Sequence, residues 1–223
     1  MNPSDPLSQR EGVRVKICGI TTVDDALAAA SAGADYLGYV FFEGSKRFIR
    51  PNTAAPIIER VRCTYPLVRH VGLLVNPTPD AAVEALKQAG ADHAQLHGDC
   101  LSEVAAAIRS DLPSVRMITA FRFGPGAPPA RWEEADTDFF LCDTFDPKQH
   151  GGTGRPFDPG LIPSAMPRER LFLAGGLTPE TVADAVRFVR PFAVDVSSGV
   201  ESAPGKKSEV LVSRFIAAAR RAV

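Results

Sequence analysis

The chain has 223 residues; 45% are hydrophobic and 23% charged, with 25 Lys and Arg against 26 Asp and Glu. This excludes bulk disorder, a fold too small to stand without disulfide or metal staples, and any partner held by net charge, such as nucleic acid or an anionic membrane. A phosphate ligand would have to be held by local geometry.

Residues 1–12, MNPSDPLSQREG, read as a polar N-terminal extension without the apolar core of a secretion signal. Strand-like and helix-like runs then alternate to the end of the chain. RVKIC (14–18) precedes Val23, Ala26, Leu27 and Ala30, the spacing of one helix face. DYLGYVFF (35–42) precedes a helix over about 53–62. VRHVGLLV (68–75) leads to Thr78-Pro79, an N-cap followed by proline at the first helical position, and a stripe of Ala82, Ala85, Leu86 and Ala89. HAQLH (93–97) precedes a helix near 101–110, and VRMITAF (115–121) a weaker one near 128–135. DFFLCD (138–143) runs into a long glycine-rich loop, 144–160. RLFLAGG (170–176) precedes a helix expected to be capped by Thr178-Pro179, with Val182, Ala185, Val186 and Val189 on its face. FAVDV (192–196) leads through a Gly/Pro/Lys loop to a helix carrying Leu211, Phe215 and Ala218.

Eight strands with seven intervening helices predict parallel strands joined by crossovers, and a repeat of 25–30 residues fits a single-domain (β/α)8 TIM barrel over 13–223. A doubly wound open sheet is the alternative, but its GxGxxG turn after the first strand is missing. No apolar stretch approaches the ~18 residues of a membrane span. Cys18, Cys63, Cys100 and Cys142 are scattered without a CxxC pair, which suits reduced thiols in a cytoplasmic protein.

On a barrel, active sites gather at the carboxyl ends of the strands. Three glycine-bearing turns fall after the last three strands: 151–154 ending in Gly154, Gly175-Gly176, and Ser197-Ser198-Gly199. They suit a backbone phosphate cradle, or simply tight turns. Cys18 ends the first strand; a lone cysteine is more often a small buried hydrophobe. Alternation puts Leu141 and Asp143 on the inward side of the sixth strand, and turns Phe140 and Cys142 toward the helices. An inward acid at a barrel mouth is either chemical or a structural ion pair. His93 and His97 share a strand without a third ligand nearby, so no metal site is expected. Lys16 shares the inward face of Cys18, and a buried ammonium needs a partner. Barrel closure would pair the first strand with the eighth, which makes Asp195 that partner.

KICGIT (16–21), SKR (45–47), QLHG (95–98), GGTGRPFD (151–158), LAGGLTPE (173–180) and DVSSGVE (195–201) together resemble the motifs of phosphoribosylanthranilate isomerase, a tryptophan-pathway family, in order and spacing. The resemblance implies an Amadori rearrangement of N-(5-phosphoribosyl)anthranilate to 1-(2-carboxyphenylamino)-1-deoxyribulose 5-phosphate, without metal or redox cofactor. It implies Asp143 as the acid that opens the ribose ring and Cys18 as the base that takes the C2 proton. It implies Arg47 as the partner of the anthranilate carboxylate, with His97 and Asp195 contacting substrate or ordering the site. A sugar-phosphate substrate and a monomeric or homodimeric enzyme follow. For this chemistry an ordinary thiol pKa of ~8.5 would have to be lowered, and an ordinary aspartate pKa of ~3.9 raised.

Three other readings compete. A related isomerase of histidine synthesis would carry aspartate where Cys18 stands. Indole-glycerol-phosphate synthase would need a longer chain and a catalytic lysine–glutamate set. A barrel that only binds a sugar phosphate would have no use for Cys18 and Asp143 at one face.

Overall fold

The computed structural model describes residues 12–99, 101–123, 132–144 and 162–222. The extension over 1–11 and the loop holding Gly154 lie outside them. In chain order the elements are β1 (Arg14–Cys18), α1 (Val23–Ser31), β2 (Tyr36–Val40), α2 (Pro51–Thr64), β3 (Arg69–Val75), α3 (Pro79–Ala89), β4 (His93–His97) and α4 (Ser102–Asp111). Then follow β5 (Arg116–Phe123), β6 (Phe139–Thr144), β7 (Leu171–Ala174), α5 (Val182–Val189), β8 (Ala193–Val196), a hairpin of β9 (Glu201–Ala203) and β10 (Lys206–Lys207), and α6 (Glu209–Arg221). Strands β1 to β8 are parallel and form a closed barrel, β8 pairing back onto β1. The expected TIM barrel is therefore the fold. Among the described residues no helix is long and apolar enough to cross a membrane.

Strand alternation sorts the apolar side chains into two layers. Tyr36, Val71, Ile118, Leu141, Phe172 and Ala193 pack inside the barrel. The larger cluster, with Ile17, Leu37, Leu96, Phe140 and Leu173, fills the space between sheet and helices. Leu141 and Cys142 fall on opposite sides as the alternation requires. Cys142 lies against Met166, its sulfur 3.3 Å from the thioether, and burial pushes its thiol up to about 12.

Local signals account for most helix ends. Thr22, Thr78 and Ser208 each accept a backbone N–H of the first turn of α1, α3 and α6. Two expectations need correction. Thr178 does not cap α5: its carbonyl accepts from Thr181 and Val182 in a preceding turn, and α5 begins at Val182 with Thr181 at the N-cap position. The helix expected near 128–135 is, in its described part, a single 3₁₀ turn over Trp132–Glu134. The Gly/Pro/Lys loop before α6 is also more ordered than its composition suggests, being the β9–β10 hairpin.

The amino-terminal face is tied by a repeated device. Asp35, Asp92 and Asp138 each stand just before an even-numbered strand. Each carboxylate accepts a backbone N–H of the preceding odd strand, from Val15, His70 and Met117, all at 2.8 Å. At β8 the corresponding position is Phe192, which stacks on Phe139 instead. Asp138 also binds Arg109 at 2.9 Å and Arg116 at 2.7 Å. Burial pushes its carboxyl up, but the Met117 N–H and the two guanidiniums outweigh this and hold it below the usual range. A depressed native pKa stabilises the fold above the unfolded value of ~3.9, and that contribution is lost as pH falls through the native value. Asp138→Asn is expected to lower stability by ~2–4 kcal/mol at neutral pH, read by urea denaturation. The gap to wild type should close as the pH is taken below about 4. A gap that stays constant with pH would contradict the ionic part of this account.

Candidate active site

The carboxyl end of the barrel gathers the inward side chains at the strand ends. Lys16 and Asp195 are in register across β1 and β8, and their charged atoms lie 3.0 Å apart. Lys16 is fully buried and Asp195 nearly so. Two residues further along β1, Cys18 faces the same interior, opposite Gly38 in register. A methyl group placed on Gly38 would sit 2.9 Å from the Cys18 sulfur and 3.2 Å from the Lys16 ammonium. The bare backbone of Gly38 is what lets thiol and ammonium share this space. Burial pushes the Cys18 thiol up, Lys16 and Lys207 draw it down, and Asp195 pushes it up again, leaving it raised. The lowering expected for a catalytic thiol is therefore not met by the protein alone. Burial lowers Lys16, but Asp195 and Cys18 outweigh it, so its pKa is raised and it stays cationic.

Asp143 projects from the end of β6 beside Arg122 of β5, its partner in register. Burial and the negative charge of Asp195 raise its carboxyl pKa, and Arg122 opposes them. The direction is the one an acid catalyst needs. At the end of β4, burial, Lys16 and Arg122 push the His97 ring down to about 4. The ring is thus neutral at pH 7, and the Gln95 amide nitrogen lies 2.6 Å from its Nε2. An N–H donated there places the ring proton on Nδ1.

Arg47, in the loop after β2, lies with its aliphatic stem over Gly19. A Cβ on Gly19 would come within 2.5 Å of the Arg47 Cδ, and its φ of 80° also favours glycine. The guanidinium is held by a carboxylate of its own chain. Nε and Nη2 of Arg47 each donate to Glu201 at 2.7 Å. Lys207 donates to the same carboxylate at 2.9 Å and to the Ser197 carbonyl at 3.2 Å.

The turns after β7 and β8 face each other. Gly175 and Gly176 have φ of 98° and 62°. Ser198 to Val200 form a 3₁₀ turn, and Ser197 Oγ is buried with no hydrogen-bond partner among the described residues. A Cβ on Gly199 would fall 2.0 Å from the Leu177 carbonyl oxygen, so only glycine lets the two turns approach this closely. Gly154 lies outside the described residues.

The structure thus brings Cys18, Asp143, His97, Asp195, Arg47 and two of the three glycine turns to one end of the barrel. Sequence reasoning missed Arg122, Glu201 and Lys207. Arg122 could have been found by extending the inward alternation of β5 by one step. Glu201 stands in the DVSSGVE segment without a chemical signature of its own. Lys207 looks like one of two adjacent loop lysines.

The family model described as N-(5'phosphoribosyl)anthranilate (PRA) isomerase matches residues 15–218. The N-(5'-phosphoribosyl)anthranilate isomerase of Citrifermentans bemidjiense is 44% identical over 208 residues, covering 93% of this chain and 97% of its own. The crystal structure of phosphoribosyl anthranilate isomerase from Thermus thermophilus superposes with a TM-score of 0.78 at 35% identity, covering 92% of this chain and 98% of that one. A further isomerase structure is a complex with reduced 1-(o-carboxyphenylamino)-1-deoxyribulose 5-phosphate, with a TM-score of 0.73 at 35% identity and coverage of 94% and 99%. The chain belongs to the N-(5'-phosphoribosyl)anthranilate isomerase family and converts N-(5-phosphoribosyl)anthranilate to 1-(2-carboxyphenylamino)-1-deoxyribulose 5-phosphate in tryptophan biosynthesis.

Proposed function

We propose that Asp143 and Cys18 are the acid and the base of this isomerisation. The observation that carries the reading is the pair of opposed environments at one barrel end. Asp143 is drawn toward its protonated form, while the Cys18 sulfur sits beside the Lys16 ammonium. Asp143 gives its proton to the ribose ring oxygen. The C1–O bond breaks, and the anilino nitrogen's lone pair forms the C1=N iminium. Cys18, having released its own proton to solvent, removes the proton from C2 as a thiolate; the C2–H electrons form the C1=C2 bond and the C=N π electrons return to nitrogen, giving the enolamine. Proton transfer from the C2 hydroxyl and to C1 then yields the ketone.

The raised thiol of the free protein fits this order of events. The iminium places a positive charge one bond from C2, which acidifies that proton and favours a thiolate nearby. Deprotonation thus follows ring opening. Lys16 adds a second, fixed positive charge, and Asp195 keeps Lys16 charged and in place. Neutral His97 is suited to order the site or to hydrogen-bond the substrate without adding charge. These steps are proton transfers between side chains and substrate, and the reading calls on no cofactor.

The phosphate is assigned to the backbone of Gly175, Gly176, Ser197, Ser198 and Gly199, whose turns approach closely, and to Gly154, which lies outside the described residues. The anthranilate carboxylate is assigned to Arg47. Every group used comes from one chain, so a monomer or a homodimer would serve; the Thermotoga maritima relative is dimeric. Scattered cysteines and the biosynthetic reaction support a cytoplasmic enzyme.

Cys18→Ala and Asp143→Asn should each cut kcat at least about a hundredfold, with circular dichroism unchanged and KM altered far less. Near-normal turnover in either variant would overturn the assignment. Gly199→Ala must push its turn off Leu177, and should weaken competitive inhibition by inorganic phosphate while sparing an unphosphorylated anthranilate fragment. Unchanged phosphate inhibition would count against the cradle.

A further inference from the structure

The Arg47 guanidinium has two edges on which a carboxylate can sit with both oxygens bonded: the side edge, Nε with Nη2, and the end edge, Nη1 with Nη2. Glu201 occupies the side edge with both of its oxygens. Three of the guanidinium's five N–H groups remain, and two of them lie along the end edge. Arg47 is one-quarter exposed, whereas Glu201 is 6% exposed and Lys207 only 2%. The carboxylate is therefore a buried fixture and the guanidinium reaches outward from it.

The fixture is itself anchored. Burial pushes the Glu201 carboxyl up, but hydrogen bonds from Arg47 and Lys207 outweigh it and keep it ionised. Lys207 ties the carboxylate to the Ser197 carbonyl. The turn of the β9–β10 hairpin accepts the Thr21 hydroxyl at Gly205, at 2.7 Å, and the Lys207 N–H donates to Asp25 at 3.2 Å. Both contacts reach the loop and helix that follow Cys18. The hairpin after β8 is thus pinned to the element that carries the thiol, and it holds Arg47 against that element from the far side. Burial lowers the Lys207 ammonium, Glu201 opposes this, and Arg47 remains the cation that faces outward to meet a carboxylate.

We infer that Glu201 is a positioning residue that locks Arg47 with its end edge presented to the substrate's anthranilate carboxylate, and that the β9–β10 hairpin thereby sets selectivity for an aminoaldose bearing an ortho-carboxylate. The inference rests on the assignment of Arg47 to that carboxylate. A long arginine side chain left to itself populates many rotamers, and fixing it beforehand removes that ordering cost from substrate binding.

The test compares wild type, Glu201→Gln, Glu201→Asp, Arg47→Met and the Arg47→Met/Glu201→Gln double variant. The probes are an anthranilate-bearing product analogue and a simple pentose phosphate, each used as a competitive inhibitor. Glu201→Gln puts an amide N–H against a guanidinium, and should weaken the analogue about tenfold with the pentose phosphate nearly unchanged. KM for the aminoaldose should rise more than kcat falls. Glu201→Asp keeps the charge on a shorter arm, and should recover part of the loss. Adding Glu201→Gln to Arg47→Met should cost nothing further, because the side chain it positions is gone. Thermal unfolding of each variant separates this from general damage, which would weaken both probes alike.

If Arg47→Met weakens the analogue while Glu201→Gln does not, the positioning role is wrong and the reading of Arg47 stands. If the two substitutions add in full, Glu201 acts by some route other than Arg47 and the inference is overturned. If Arg47→Met leaves the analogue unaffected, the assignment of Arg47 fails and the inference fails with it.

Discussion

A buried ammonium beside a buried carboxylate closes this barrel. Lys16 and Asp195 meet across the β1–β8 seam at 3.0 Å, inside a shell of apolar side chains. Two isolated charges in that interior would each cost several kcal/mol to desolvate, so removing either partner lowers the stability of the fold without abolishing it. A well-packed apolar pair would give comparable or better stability. The pair therefore makes most sense as a fixed electrostatic element of the site, with stability supplied by the two apolar layers around it. From it follow the charge beside Cys18, the added cost of ionising Asp143 and, after burial, part of the lowering of His97.

In the proposed mechanism the same pair separates the demands on Asp143 as acid and Cys18 as base. Asp195 acts on Asp143 and on Cys18 in the same direction, raising both. Lys16 acts against it at the thiol only. An acid that holds its proton more firmly is useful at the ring oxygen. A thiol that holds its proton is not useful at C2, and there the opposing lysine and the substrate's own iminium take over. In the proposed mechanism one face of the barrel then supports proton donation and proton abstraction at the two ring atoms that flank C1 of one sugar.

What the sequence made legible follows a physical rule. Strands β1 and β4 were readable to the residue because alternation and flanking glycine bound them on both sides. The Lys16–Asp195 contact was readable because barrel closure fixes which strands meet, and a buried lysine on β1 has few places to find a carboxylate. Thr78-Pro79 and Thr178-Pro179 offer the same local signal, yet only the first caps a helix. After β7 the chain spends one more turn folding Thr178 onto Thr181 before α5 begins. The Arg47–Glu201 contact spans 154 residues and depends on a hairpin of three- and two-residue strands. Nothing in the local pattern of either segment announces it. Its one trace is Gly19, which must be glycine for the arginine stem to lie across it.

The most direct test of the account is the titration of the Cys18 thiolate in wild type and in Lys16→Met. It is followed by ultraviolet absorbance of the thiolate and by rate of alkylation against pH, with Cys18→Ala as the blank for Cys63, Cys100 and Cys142. Removing the ammonium should move the Cys18 titration to higher pH and lower kcat/KM at neutral pH, with the fold retained by circular dichroism. A Cys18 titration that stays in place or moves to lower pH would contradict the claim that the buried pair at the barrel seam draws the thiol of the proposed base toward its ionised form.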